Sequence, residues 1–411
     1  MDLTTTETKT SKWVADGMEA VKLSFVHKIN DLGTVPEYEP EFVYQHFGQN
    51  ETIFGYENLK VTINYADASL HFYPQIEYTS KFNEDPDIQP DDIMIKLKEQ
   101  QPSDQLDMLV ESKAEFNAIL EKQKSFNPIG ELIEKFASGE SNLEIYKVAE
   151  PSQEIDHFLG RAQYMALFYI DAASYTDVQD ERWLHYLIYE NCDNGEGDGS
   201  THRKFAGYAS LYRYYAYPDK IRPRVAQILL LPQYRGQGTA AKFLQTIYKD
   251  LWATSNILDI AVEDPADAFI FLRDYVDCCN CLALTQFSPQ NLRRGFSDEM
   301  RLAALEKYKI NRKQARRVYE ILRFRVTNPN DAEDLKSYRL DVKRRLHAPM
   351  RKSEKDKRRL NCALTQEELT QAAVNEKDLK ETHALLEQLY QTTVKEYEKT
   401  VARLEKYPTI F

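Results

Sequence analysis

The nine residues from Arg224 to Pro232, RVAQILLLP, are nearly all apolar. Such a run reads as a strand buried on both faces of a sheet. It stops abruptly at Gln233-Tyr234-Arg235-Gly236-Gln237-Gly238-Thr239, and AAKFLQTIYKDLW then carries the apolar period of a helix. A buried strand feeding a small-residue turn at a helix start leaves several backbone N–H groups without intrahelical partners, and the helix dipole favours an anion there. Gly236, Gly238 and Ala240 keep the turn thin, so a pyrophosphate could reach the backbone. The spacing is Arg-x-x-Gly-x-Ala, neither the dinucleotide pattern G-x-G-x-x-G nor the Walker pattern ending in Lys-Ser/Thr. The plain alternative is an ordinary strand-to-helix connection.

The flanking elements place this turn. Ile155 to Ser174 reads as a helix with Phe158, Ala162, Met165, Ala166 and Tyr169 on one face. WLHYLIYE (Trp183–Glu190) and FAGYASLYRYYAY (Phe205–Tyr217) read as strands around the polar segment Asn191 to His202, an insertion or a docking loop. ILDIAVED (Ile257–Asp264) is a further strand, and Pro265 starts another helix. The order is helix, three strands, helix, strand, helix. Upstream, Trp13 to His27 carries helical spacing, Glu37 to Tyr44 is extended, and LKVTINYADASLHFYPQIEY alternates as a strand pair with a turn near Asp67. Downstream, KYKINRKQARRVYEILRFRV reads as one basic helix and SYRLDVKRRL as another. Thr365 and Glu368 form a capping box, and Leu379, Leu386, Tyr390, Val394, Tyr397, Val401 and Leu404 form a stripe that packs on the body or on a partner helix.

A chain of 411 residues with 42% hydrophobic content has room for two to three domains. A net charge of -12 disfavours nucleic acid and suits a cationic peptide. No apolar run has membrane-spanning length, and MDLTTTETKTSKWV carries no secretory pattern. Five cysteines make a disulfide framework an unsuitable reading and a reducing compartment the expected one. Cys278, Cys279 and Cys281 lack the second ligand pair of a structural zinc site, and the histidines are scattered, so no metal is expected. KRRLHAPMRKSEKDKRR is a solvated helix face or a nuclear-import signal.

The Arg235-to-Ala240 turn after a third strand matches the signature of the GNAT superfamily of N-acetyltransferases. RPRVAQILLLPQYRGQGTAAKFL, AVEDPADAFIFLRD, DERWLHYL, KINRKQARRVYEILR, SYRLDVKRRL and HFGQNETIFGYENLKV resemble segments of the type B histone acetyltransferases. They stand in the same order over about residues 36 to 350. The resemblance implies an α+β fold, with a GNAT-type mixed sheet core flanked by helices, a small N-terminal α+β domain and a helical C-terminal region. The expected divisions are 1–150 for the N-terminal domain, 151–282 for the catalytic core, 283–350 for the helical domain, and 351–411 for a charged linker and amphipathic helix.

The resemblance also assigns roles by position. Coenzyme contacts fall on Ile228, Leu229 and Leu230 and on Arg235, Gly236, Gln237, Gly238, Thr239, Ala240 and Ala241, with acetyl-CoA as co-substrate and no metal. The general base falls on Glu263, and a second acidic residue on Asp171, where the family usually has Glu; Asp264 is the neighbouring carboxylate. Histone-tail contacts fall on Gln49, Asn50 and Glu51 and on Tyr212, Arg213 and Tyr214. Acidic residues usual at the first two positions are here Gln49 and Asn50, which leaves Glu51 as the only charge of the triplet. Pro232-Gln233 replaces the usual Thr-Pro order. The implied substrate is the tail of newly synthesised, non-nucleosomal histone H4, and the implied partner is a WD40-repeat histone-binding chaperone, in nucleus and cytoplasm. No direct nucleic-acid or membrane contact is implied.

The residues support this chemistry on their own. Acetyl transfer to lysine needs a neutral amine, and free lysine titrates near about 10.4. A carboxylate must take that proton before attack on the thioester. The oxyanion then needs a donor, for which a backbone N–H from Leu229 to Leu231 is suited. No Ser–His–Asp or Cys–His set is evident, which favours direct attack by the amine. Asp264 with Pro265 has a second reading, as N-cap and first residue of the next helix. Tyr212 and Tyr214 point to one face of their strand, Arg213 to the other, and the tyrosines are either core or peptide contacts. Two rival classes stay open: a same-fold enzyme acetylating a small amine, and a catalytically silent histone-binding scaffold.

Overall fold

Alternation and β-branching in KVTINYA build the first sheet. In the computed structural model, which describes residues 12–105, 107–148, 150–193, 201–361 and 379–410, that segment is strand β6 (Lys60–Ala66). It runs parallel to β2 (Val21–Val26), with Val21 opposite Val61, and antiparallel to β7 (Phe72–Glu77). The sheet is completed by β3 (Glu37–Tyr38) in the order β3-β2-β6-β7. With a neighbour on each edge, β6 buries Val61, Ile63 and Tyr65 completely. The turn near Asp67 is where the alternation placed it.

The helix expected over Trp13 to His27 is not formed. β1 (Val14–Asp16) pairs with β4 (Thr52–Phe54), and Asp16 then caps a single turn, α1 (Gly17–Ala20), accepting from the Met18 N–H at 2.8 Å. The chain goes straight into β2 because Val21, Leu23 and Val26 find a parallel partner; tertiary pairing overrides helical spacing. The short strands β5 (Tyr56–Glu57) and β8 (Ser80–Lys81) pair separately. This part of the chain also carries the helices α2 (Tyr44–Phe47), α3 (Ile93–Glu99) and α4 (Lys113–Lys122).

The central sheet starts earlier than the division drawn near residue 150. β9 (Glu131–Ser138) and β10 (Ser141–Val148) form a hairpin, and β10 pairs antiparallel with β11 (Trp183–Asp193), which pairs with β12 (Thr201–Ala216). β13 (Lys220–Leu230) lies on the far side of β12. Between hairpin and β11 runs α5 (Gln153–Ala166), shorter than expected, with Phe158, Ala162 and Met165 buried. Asn191 pairs with Arg203 and Cys192 with His202, so both described ends of the polar segment are strand; residues 194–200 lie outside the described ones.

Two compact units divide the chain: one up to Tyr214 together with Arg224–Thr239, the other Tyr215–Pro223 with Ala240 onward. The second is helical: α6 (Thr239–Trp252), which begins at the division, α7 (Asp267–Leu282), α8 (Pro289–Arg294), α9 (Asp298–Tyr308), α10 (Arg312–Val326), α11 (Ala332–Asn361) and α12 (Leu379–Lys406), with one short strand, β14 (Ala261–Val262). The basic stretch expected as one helix is broken where Lys309 turns left-handed at φ 56° and Asn311 caps α10 by accepting from the Gln314 N–H at 3.0 Å. The C-terminal stripe packs on its own unit: Tyr390 joins Tyr338 and Val342 in one cluster, and Tyr397 and Leu404 are fully buried. The capping box at Thr365 and Glu368 lies outside the described residues. Among those described, no helix is long and apolar enough to cross a membrane.

Glu320 of α10 fastens the terminal helices. Its side chain is fully buried and accepts from Arg316 Nε (2.9 Å), Arg345 Nε (2.8 Å) and the Tyr397 hydroxyl (2.9 Å). Replacing this charge takes the carboxylate from Arg345 and leaves Arg316 with Asp341 alone. Glu320→Gln should lower the unfolding free energy of the helical unit by about 3 kcal/mol, the low end for a broken buried pair because both arginines reach solvent; equilibrium denaturation measures it, and a wild-type midpoint would refute the role.

Candidate functional site

The turn after β13 has the conformation its glycines permit. Leu231 leaves the strand, Pro232–Tyr234 makes one 3-10 turn, and Gly236 and Gly238 then take φ 82° and 91° before Thr239 opens α6. A Cβ on either glycine would meet nothing within 4 Å. Glycine is therefore required by the backbone, not by crowding, and the space beside the turn is open. Successive N–H groups in such a turn, ahead of a 14-residue helix, are an arrangement that suits an anion.

A hairpin missed in the sequence holds the turn. Ser138, at the end of β9, donates to the Gln237 carbonyl at 3.1 Å and lies 2.8 Å from the Thr239 hydroxyl. Next to it, Gly139 is left-handed, and the Gln237 side chain packs so closely that a Cβ there would lie 2.2 Å from Gln237 Oε1. The dipeptide Ser138-Gly139 between two alternating segments was the available signal.

Arg235 points back into the protein. Its Nε donates to the Leu230 carbonyl at 2.8 Å, its Nη1 binds Glu41 Oε1 at 2.6 Å, and its guanidinium lies over the Tyr169 ring at 5.4 Å. It fixes the turn entry to two other segments. Of the three N–H groups proposed for the oxyanion, that of Leu231 is already taken by the Ala206 carbonyl at 2.9 Å. Leu229 and Leu230 are buried and Ile228 partly so. Gly207 on β12 lets the two strands close up: a Cβ there would stand 2.2 Å from the Leu229 carbonyl oxygen. Ala240 and Ala241 sit in the first turn of α6, Ala241 buried.

The acidic candidates fall into separate places. Asp171 accepts from the Tyr44 hydroxyl at 2.9 Å, and the same hydroxyl accepts from the Ala172 N–H at 2.7 Å. Desolvation, followed by the Asp171 hydrogen bond, keeps the Tyr44 hydroxyl above its usual range and so protonated. Glu51, at φ 53°, turns its carboxylate inward to accept from the Val43 N–H at 3.1 Å. Glu51 and Asp171 thus converge on one short segment, Val43-Tyr44, whose neighbours Glu41 and Phe42 donate to the Phe168 carbonyl. Gln49 and Asn50 are exposed beside it. Tyr44 and Glu41 carried no sequence signal.

Glu263 directly follows β14 and is exposed. The strand expected over Ile257–Asp264 shrinks to Ala261–Val262 because the preceding residues are held singly: the Ile260 N–H donates to the Lys309 carbonyl at 2.9 Å, and its own carbonyl accepts from Arg273 at 3.0 Å. Asp264 is not the helix cap. The N-cap of α7 is Ala266, and Asp264 lies at φ 27°, outside the extended region a cap requires.

Tyr212 and Tyr214 share a face, with ring centroids 4.6 Å apart. Tyr214 is 39% exposed, so it is not core. Tyr212 donates to Asp180 at 3.0 Å and packs edge-on against Trp183; Tyr214 binds Arg224, whose guanidinium lies 4.4 Å from its ring. Arg213 faces the other way and donates to the Arg182 carbonyl. Cys278 and Cys281 are buried in α7, where desolvation pushes their thiols up.

Gly238→Glu should lower affinity for acetyl-CoA at least about tenfold, through charge placed in the cradle, while Gly238→Ala, with nothing to clash against, should show mainly the strain of a left-handed alanine. Calorimetry on folded protein decides it: unchanged affinity in Gly238→Glu removes this turn from the coenzyme site.

Two family profiles match. One, described as Histone acetyl transferase HAT1 N-terminus, covers residues 13–171; the other, Histone acetyltransferase type B catalytic subunit, C-terminal, covers residues 273–324. The chain is similar to the histone acetyltransferase type B catalytic subunits of Rattus norvegicus and Homo sapiens, each 36% identical over 406 residues, 97% of this chain and 95% of theirs. The protein of that name in Cryptococcus neoformans is 28% identical over 377 residues, 82% of this chain and 89% of its own.

Proposed function

The chain belongs to the family of type B histone acetyltransferase catalytic subunits, and from that premise we propose that it transfers acetyl from acetyl-CoA to lysines of the newly synthesised, non-nucleosomal histone H4 tail. The observation that carries the reading is the left-handed Gly236–Gly238 turn at the start of α6, pinned by Ser138 and Arg235, which is built to receive a pyrophosphate. Glu263 takes the lysine proton, the amine attacks the thioester carbonyl carbon, and the N–H of Leu229 or Leu230 holds the oxyanion until the carbon–sulfur bond breaks and the thiolate leaves. Asp171, one methylene shorter than the family's Glu and oriented by Tyr44, assists without being the base.

Tyr212 and Tyr214, on one exposed face, flank the lysine stem. With Gln49 and Asn50 uncharged and Glu51 engaged by the Val43 N–H, the N-terminal segment offers the tail less charge than a run of three carboxylates would. A WD40-repeat histone chaperone supplies further contacts, and the enzyme works in cytoplasm and nucleus.

Purified chain, labelled acetyl-CoA and a panel of H4 tail peptide, nucleosomes and polyamines test the reading. Label on the free tail and not on nucleosomes or polyamines is expected; label on polyamines alone would overturn it. In the same assay Glu263→Gln should lower kcat by about 10²-fold or more with acetyl-CoA affinity nearly unchanged. The loss should shrink at high pH, where the amine is already neutral; wild-type turnover at neutral pH would place the base elsewhere.

Tyr214→Ala separates groove from scaffold. Its ring is partly exposed, so the fold should tolerate the change, and turnover on the H4 tail should fall more than turnover on a short lysine peptide. Equal losses on both acceptors would mean that the ring supports the strand and not the substrate.

A further inference from the structure

Three residues far apart in sequence meet at the end of the two central strands of the first sheet. Val26 and Ala66 are paired across the parallel strands β2 and β6, so the residues that follow them, His27 and Asp67, emerge side by side. The Asp67 N–H donates to the Val26 carbonyl at 3.0 Å, and the Asp67 carbonyl accepts from the Phe205 N–H at 2.8 Å, which draws in β12. His202, near the start of β12, then stacks on His27 with ring centroids 3.8 Å apart. His27 Nδ1 lies 3.1 Å from Asp67 Oδ1, and one ligand atom from each of the three residues lies within 4.8 Å of the others. His27 and Asp67 also line a cavity of about 270 Å³ with Tyr38, Glu190 and Tyr234.

Each partner comes from a different strand, so convergence is set by the fold and not by a local turn. Asp67 is only 4% exposed. Burying a carboxylate is costly, and a cation shared with its neighbours offsets that cost. Two imidazoles and one carboxylate are the donors zinc takes at a site that keeps a fourth position open. Magnesium and calcium prefer all-oxygen sets.

We propose that His27, Asp67 and His202 bind one zinc ion, with the fourth position on the cavity side. The ion joins the ends of β2 and β6 to β12, beside Tyr234. This site stands apart from the acetyl-transfer reading and does not depend on it.

The test uses the full chain, stripped with a chelator and then titrated with zinc alone. One zinc per chain should remain after gel filtration, with a raised Tm. Asp67→Asn and His202→Asn should each lower zinc affinity by about 100-fold or more, at least what loss of a supporting partner costs. His202→Cys, which supplies a thiolate, should retain zinc, and circular dichroism confirms that each variant is folded. Three results would overturn the proposal: a wild-type chain that holds no zinc, which leaves only a hydrogen-bonded histidine–aspartate pair; iron(II) held in preference to zinc; or zinc lost on Cys279→Ser and kept in His202→Asn.

Discussion

Arg235 holds the Gly236–Gly238 turn in register with the segment around Glu41. A guanidinium offers its donors in a rigid fork, and here one donor closes on the Leu230 carbonyl and another on Glu41. The first contact fixes where β13 ends. The second ties that end to the segment carrying Val43 and Tyr44. A turn of two left-handed glycines has many conformations open to it, and its usefulness as a cradle depends on holding one. Arg235 on the upstream side and Ser138 on the downstream side supply that restraint, so both side chains act on the turn through position.

The same segment organises the acidic groups. Glu41 and Phe42 bond to the Phe168 carbonyl, His46 stacks on Phe168 at 4.3 Å, and Tyr44 reaches Asp171 and Ala172. The N-terminal residues expected to meet the histone tail and Asp171, expected to assist the reaction, therefore share one support. A disturbance at Tyr44 would reach both, which distinguishes this arrangement from two independent loops.

Much of this was legible in the chain. The apolar run before Pro232 located β13, the order of elements from α5 to α7 followed from period alone, and positive φ at Gly236 and Gly238 is what a glycine pair in a turn implies. The failures have physical causes. Trp13 to His27 has helical spacing, but Asp16 caps a single turn and Val21 to Val26 finds a parallel partner 40 residues on, a pairing no local pattern records. β9 was passed over because, as an edge strand, it is mostly exposed and carries charge where a central strand carries valine. Lys309 breaks a basic helix with a left-handed residue that is not glycine, so no breaker marks it. The meeting of His27, Asp67 and His202 was invisible because three strands bring the residues together.

Backbone strain adds a signal that composition lacks. Among non-glycine residues with positive φ are Glu51, Ala172 beside Asp171, and Asp264 beside Glu263. Each such residue costs on the order of 1 kcal/mol, and it persists where surroundings over-determine it. For Glu51 the restraint is visible: its own N–H donates to Gly48, its carbonyl accepts from Gly17, and its carboxylate takes the Val43 N–H. For Ala172 it is the Tyr44 hydroxyl. Strain therefore falls at or beside three carboxylate positions that the family resemblance singled out, and at Glu51 and Ala172 the bonds that hold the strained residue also hold a carboxylate in place.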